Sequence, residues 1–204
     1  MQKVIIYLHG FNSASVDLDG NLLTNKEKLL VMQEFCSEKE IAFYTPNVDY
    51  RDFQNIVENL LFDWNLYLDQ GYDVIFMGSS MGGFASEYLA MKTGCKAIMI
   101  NPAISPSELL TQFIGVTENY EIGLPYQWDQ YHCEQYLQYE QELASSNRSL
   151  DRTILLDMAD ELIDAEKTLL KYQATANVVT YDGGSHSFEH MRQALPVIER
   201  VIFT

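Results

Sequence analysis

Apolar and polar positions along this chain alternate between two rhythms. Residues 4–8 read VIIYL, an unbroken apolar run of the kind a strand covered on both faces needs. Residues 22–36 carry a helical pattern, and IAFYTP at 41–46 predicts a short strand closed by Pro46. Phe53, Ile56, Val57, Leu60, Leu61, Trp64 and Leu68 then recur at steps of three and four, the clearest amphipathic helix in the chain. Further strands are predicted from DVIFMG (73–78), KAIMIN (96–101), TILLDM (153–158) and NVVTYD (177–182). Helices are expected over 81–93, over 161–173 and at the C-terminus, where Pro196 is expected in the first turn.

Short apolar strands alternating with helices predict an α/β fold: a doubly wound, mainly parallel sheet of six or seven strands. The 204 residues suffice for a single domain, 1–204, with one large core. Residues 103–150 interrupt the rhythm and predict no strand. Ser105, Pro106 and Glu108 suit a helix start with a capping box. An aromatic-rich run follows, with Phe113, Tyr120, Tyr126, Trp128, Tyr131, Tyr136 and Tyr139. A segment of this length between two sheet strands is expected to form a helical cap.

Composition narrows the partners. A net charge of −16 repels polyphosphate, so no nucleic-acid partner is expected, and anionic membrane surfaces are disfavoured. Cys36, Cys95 and Cys133 are odd in number and scattered, which argues against a disulfide framework or a zinc site. The apolar run at 4–8 is too short for a signal-peptide core, and no segment approaches a membrane span. A cytoplasmic protein is expected. Oligomeric state is left open.

The candidate chemistry begins at Gly78-Ser79-Ser80-Met81-Gly82, which matches G-x-S-x-G with Ser80 at its centre. A nucleophile raised on a sharp strand-to-helix turn has strained dihedrals, and side chains two residues either way would collide. Glycines at 78 and 82 remove them. Ser79, flanked at the same spacing by Met77 and Met81, is expected to pack or cap locally.

A serine hydroxyl needs a histidine to take its proton and a carboxylate to orient that histidine. His186, in YDGGSHSF after the last strand, is the expected base, with His190 in reserve; His9 is expected to brace its loop, and His132 lies in the cap. Among Asp157, Asp160, Glu161 and Asp164, Asp160 falls just beyond its strand and is the expected acid, although it also suits a helix N-cap. Asn101 occupies another position used for such an acid and carries no charge. Backbone N–H groups of Phe11 and Met81 are the expected oxyanion donors. Phe11, Phe113, Tyr126 and Trp128 are candidate substrate contacts, though the aromatic residues of the cap serve equally as ordinary packing.

The ordered landmarks YLHGFNS, GSSMGG, NPAISPSELL, ADE and GGSHSF resemble the α/β-hydrolase superfamily, and within it the small bacterial YqiA/YcfP-like esterases. The likeness is closer to the YqiA side, because YcfP-like members can lack the elbow serine. It implies esterase or thioesterase activity on acyl substrates, with Ser80, Asp160 and His186 at the family's triad positions and no metal or cofactor. The partner expected is therefore a small-molecule acyl ester or thioester. A hydrolase-fold protein that binds without catalysis is the alternative of another class.

Overall fold

The computed structural model describes residues 1–121 and 123–204. The apolar runs become β1 (Gln2–Leu8), β2 (Ala42–Tyr44), β3 (Tyr72–Ser79), β4 (Lys96–Ile100), β7 (Arg152–Asp157) and β8 (Asn177–Tyr181). They form one parallel sheet in the order β2-β1-β3-β4-β7-β8. Helices α1 (Glu27–Glu38), α2 (Phe53–Asp69), α3 (Met81–Thr93), α6 (Ala165–Tyr172) and α7 (Met191–Phe203) connect or follow them.

Side chains alternate across the sheet, so its two faces build separate cores. Val4, Ile6, Leu8, Val74 and Phe76 pack beneath α2 and α3. Ile5, Tyr7, Ile75 and Met77 pack beneath α1 and α7. Phe53 anchors the first core, its ring 4.7–5.7 Å from those of Phe84, Tyr88, Tyr136 and Tyr139. Truncating such a residue to alanine costs about 3–5 kcal/mol. Leu8 pairs with Gly78 and Ser79 with Ile100, so the carboxyl ends of β1, β3 and β4 finish level and gather their loops at one edge.

The 103–150 segment departs from the predicted all-helical cap. It contains α4 (Pro106–Leu109), a 3₁₀ turn, an antiparallel hairpin of β5 (Gly115–Glu118) and β6 (Pro125–Trp128), and α5 (Gln130–Ser145). Val116 and Glu118 of β5 and Pro125 and Gln127 of β6 are exposed, so these short strands carry no apolar run. The hairpin is instead tied to the chain after β1, where Asn12 donates to Thr117 Oγ1 (2.8 Å) and accepts from the Tyr126 hydroxyl. Ser105 does not close a capping box. The Glu140 carboxylate of α5 caps α4 instead, accepting from Ser107 N (2.7 Å) and Ser107 Oγ (2.9 Å).

Three helix boundaries also differ from the periodicity. The helix predicted from residue 22 begins at Glu27, because Leu22 is bridged to Val16 across a turn. The helix predicted from residue 161 begins at Ala165, where the Asp164 side chain caps Lys167 N. Pro196 lies inside α7, not in its first turn. The helix tolerates the missing N–H because Met191, Ala194, Ile198 and Ile202 hold it to the sheet. Among the described residues, no helix is long and apolar enough to cross a membrane.

Candidate active site

Ser80 sits between β3 and α3 with φ 57° and ψ −119°, a conformation that non-glycine residues seldom adopt. The surroundings hold it there. Ser80 N donates to Ile100 O (3.0 Å), while Ser80 O accepts from Gly83 N (2.9 Å) and Ala103 N (3.0 Å). A Cβ on Gly78 would lie 2.2 Å from Gly82 O, and one on Gly82 would lie 2.0 Å from Leu8 O. Both glycines are therefore demanded by close backbone approach. Ser79 points elsewhere, and its hydroxyl accepts from Lys28 Nζ at 2.7 Å, against the α1 side of the sheet.

His186 follows β8, and its Nδ1 lies 2.8 Å from Asp160 Oδ2 and 3.1 Å from Asp160 Oδ1. A carboxylate can only accept there, so Nδ1 carries the proton and Nε2 is left as the acceptor. The Asp160 side chain is 2% exposed. Its Oδ1 also accepts from Leu162 N (2.8 Å) and Ile163 N (2.9 Å), which fixes the carboxylate before it meets the imidazole. Asp160 is thus no helix cap, a place that Asp164 takes.

Ser80, Met81, Phe11 and His186 line one cavity of about 400 Å³, with apolar walls from Leu109, Leu110, Phe113, Leu162 and Ile163. Among the described residues Ser80 Oγ makes no hydrogen bond, and the N–H groups of Phe11 and Met81 donate none. The residues that bear the serine hydroxyl, the imidazole and the two expected oxyanion donors therefore line one space, beside the N-terminus of α3. The same cavity admits one cation, Lys26, which is paired with Glu121 of the segment between β5 and β6.

Of the four aromatic residues singled out for substrate, Phe11 and Phe113 line this cavity, with ring centroids 5.0 Å apart. Tyr126 and Trp128 do not. Tyr126 faces a second cavity of about 460 Å³ that also touches Phe11. Trp128 is fully buried, and its Nε1 donates to Leu110 O (3.2 Å), so it holds the cap together.

The remaining histidines have other partners. His9 Nδ1 donates to Gly10 O (2.8 Å) and its Nε2 accepts from Val48 N (2.9 Å), bracing the β1 loop as expected. Burial holds it near pKa 4, neutral. His132 caps α5 through the backbone of Asp129. His190 Nδ1 meets Asp157 Oδ1 at 2.7 Å, so the reserve base and the competing acid are paired with each other.

Three supporting residues escape a reading by motif. Glu161 Oε2 accepts from His186 N (2.9 Å). Asn101, with φ 40°, accepts from Asp157 N (2.9 Å) and donates to Ser185 O (3.0 Å). Lys28 is recognisable only from its place under Ser79. Among the described residues no group of three or more His, Cys, Asp or Glu side chains is disposed to hold a metal ion.

Comparison with known proteins agrees with this architecture. UPF0227 protein VP0969 of Vibrio parahaemolyticus is 25% identical over 198 residues, covering 96% of this chain and 97% of that protein. Est1E from Butyrivibrio proteoclasticus, also solved with ferulic acid bound, superposes with a TM-score of 0.70 at 17% identity, over 98% of this chain and 86% of Est1E. The esterase domain of a Rhodothermus marinus protein gives 0.66 at 14% identity, over 98% and 86%. The sheet and its crossovers are those of the α/β-hydrolase fold. The model of the uncharacterised protein family UPF0227 matches residues 4–202, and the chain belongs to that family.

Proposed function

We propose that this chain is a serine esterase that cleaves carboxylic esters through a covalent acyl-enzyme. The observation that carries the reading is the convergence on one cavity of Ser80, on its strained turn, and His186, whose Nδ1 is held by Asp160. Ser80 Oγ attacks the acyl carbonyl as His186 Nε2 takes its proton. Asp160 keeps the imidazole in the right tautomer and stabilises its charge. Phe11 and Met81 N–H groups bind the oxyanion, and His186 then returns the proton to the leaving alcohol. Water, activated by the same imidazole, attacks the acyl-enzyme and releases the acid.

The apolar walls favour a hydrophobic or aromatic acyl group, and the ferulic acid bound by the fold neighbour Est1E is of that kind. We take residues 1–204 as one catalytic domain with the 103–150 segment as its cap, working in the cytoplasm.

The test is labelling by a fluorophosphonate together with hydrolysis of p-nitrophenyl esters and acyl-CoA thioesters of graded chain length. Label and ester turnover should both be lost in Ser80→Ala and His186→Ala and kept in Ser79→Ala. Wild-type turnover in Ser80→Ala would sink the mechanism. Faster turnover of thioesters than of esters would move the substrate class, leaving the chemistry intact.

A further inference from the structure

A second histidine–carboxylate pair lies at the same end of the sheet, and it does not line the Ser80 cavity. Asp157 closes β7, is fully buried, and makes no salt bridge with Lys or Arg among the described residues. A buried carboxylate is costly unless its lone pairs are filled. Here the donors come from the loop that bears His186. Asp157 Oδ2 accepts from Ser185 N (3.2 Å) and Glu189 N (2.7 Å), and Oδ1 meets His190 Nδ1 (2.7 Å). The three donors bracket His186 on both sides in the chain.

The loop is one that needs restraint. Gly183, Gly184 and Phe188 all have positive φ. A Cβ at Gly184 would lie 1.9 Å from Asp157 Oδ2, so the glycine lets the loop settle on the carboxylate. Asn101 adds a parallel tie, joining Asp157 N to Ser185 O. His190 is itself fixed by stacking on Tyr181, with centroids 5.2 Å apart and planes 12° from parallel.

We infer that Asp157 is a positioning residue for the base, holding the 185–189 turn so that His186 faces the cavity it shares with Ser80, and that His190 anchors that carboxylate. The inference rests on the proposed serine-esterase mechanism. Misplacing a catalytic group by about 1 Å costs roughly 100-fold in rate, whereas the apolar walls Leu109, Leu110, Phe113, Leu162 and Ile163, which lie outside this turn, are left intact. Asp157→Asn removes the charge and replaces one acceptor oxygen by an NH₂, which must face either a backbone donor or a His190 ring forced to the other tautomer. It should therefore lower kcat about 10- to 100-fold while KM for a p-nitrophenyl ester changes little.

His190→Phe keeps a ring against Tyr181 and removes the N–H, and should lower kcat likewise. His190→Asn, which restores a donor, should recover part of the loss. Imidazole N–H resonances give an independent reading: Asp157→Asn should shift the His186 signal as well as the His190 signal. Circular dichroism and thermal melts check folding, and His190→Phe decides the matter if Asp157→Asn does not fold. A folded variant with kcat within about threefold of wild type and an unmoved His186 resonance would overturn the inference. In the same assay, turnover by His186→Ala would instead overturn the esterase mechanism, so the two failures are distinguishable.

Discussion

Asp160 and His186 lie 26 residues apart in the chain and meet at 2.8 Å, the carboxylate nearly buried and the imidazole open to the cavity. Because Asp160 Oδ1 is already held by Leu162 N and Ile163 N, the carboxylate has little freedom to turn from the ring. Asp160→Asn keeps the shape and loses the charge that fixes the tautomer. It should lower kcat by about 10³- to 10⁴-fold with intact folding, in steady-state assays beside a thermal melt. A loss smaller than that of Asp157→Asn would mean that Asp160 is not the acid.

The glycines of the turn can be separated by what surrounds them. Gly82→Ala must push Leu8 O or the whole turn aside, and should cost about 3 kcal/mol or more. Gly71→Ala, at φ 82° with nothing within 4 Å, meets only the backbone penalty and should cost about 1 kcal/mol. Urea denaturation of the two variants measures the difference, and equal losses would show that close approach is not what Gly82 provides.

His9 links folding to acid. Its pKa falls from 6.5 when unfolded to about 4 when buried, so between these values the unfolded chain binds the proton and the folded chain does not. Its contribution is complete above pH 6.5 and is lost as pH falls toward 4, at up to about 1.4 kcal/mol per pH unit. His9→Gln should be less stable at pH 7 and show a flatter decline over this window in denaturant melts. An unchanged slope would argue that His9 titrates freely.

Lys28 acts in the same direction at higher pH. Burial, with the neighbouring charge of Lys26 adding to it, lowers its pKa from 10.5 to about 8. Below pH 8 the folded state therefore carries a desolvated ammonium, and stability rises with pH between 8 and 10.5 as that proton leaves. Lys28→Met should raise Tm at pH 7 by about 2–6 °C, an advantage that shrinks above pH 8. A lower Tm at pH 7 would mean that the bond to Ser79 outweighs desolvation.

Much of the fold is legible along the chain because a buried parallel strand is apolar throughout and an amphipathic helix repeats at 3.6 residues. The residues 4–8 and 73–78 need no partner to declare themselves. The hairpin of Gly115–Glu118 and Pro125–Trp128 does not, since its stability comes from Asn12, distant in the chain. Local rules misplace the cap of α4 in the same way. Ser105 and Glu108 satisfy the pattern, and Glu140 on another helix takes the position.

The residues of the candidate site divide likewise. Gly78, Ser80 and Gly82 could be singled out from spacing alone, because the turn's steric demand acts over two residues in either direction. Four candidate acids and two candidate bases, His186 and His190, were also in view. Asp160 and His186 are the expected acid and base; what the fold adds is the pairing of the competitors, since register brings Asp157 beside Tyr181 while Asp160 lies three residues past the strand end. Phe11 and Phe113 became cavity walls and Trp128 a core residue for a similar reason, since aromatic composition is local but the side of the cap that faces Ser80 is not. Sequence by itself determined the elements and the chemical groups, which depend on neighbours a few residues away. Tertiary structure decided the pairings, because hydrogen bonds and burial act through space between residues the chain keeps far apart.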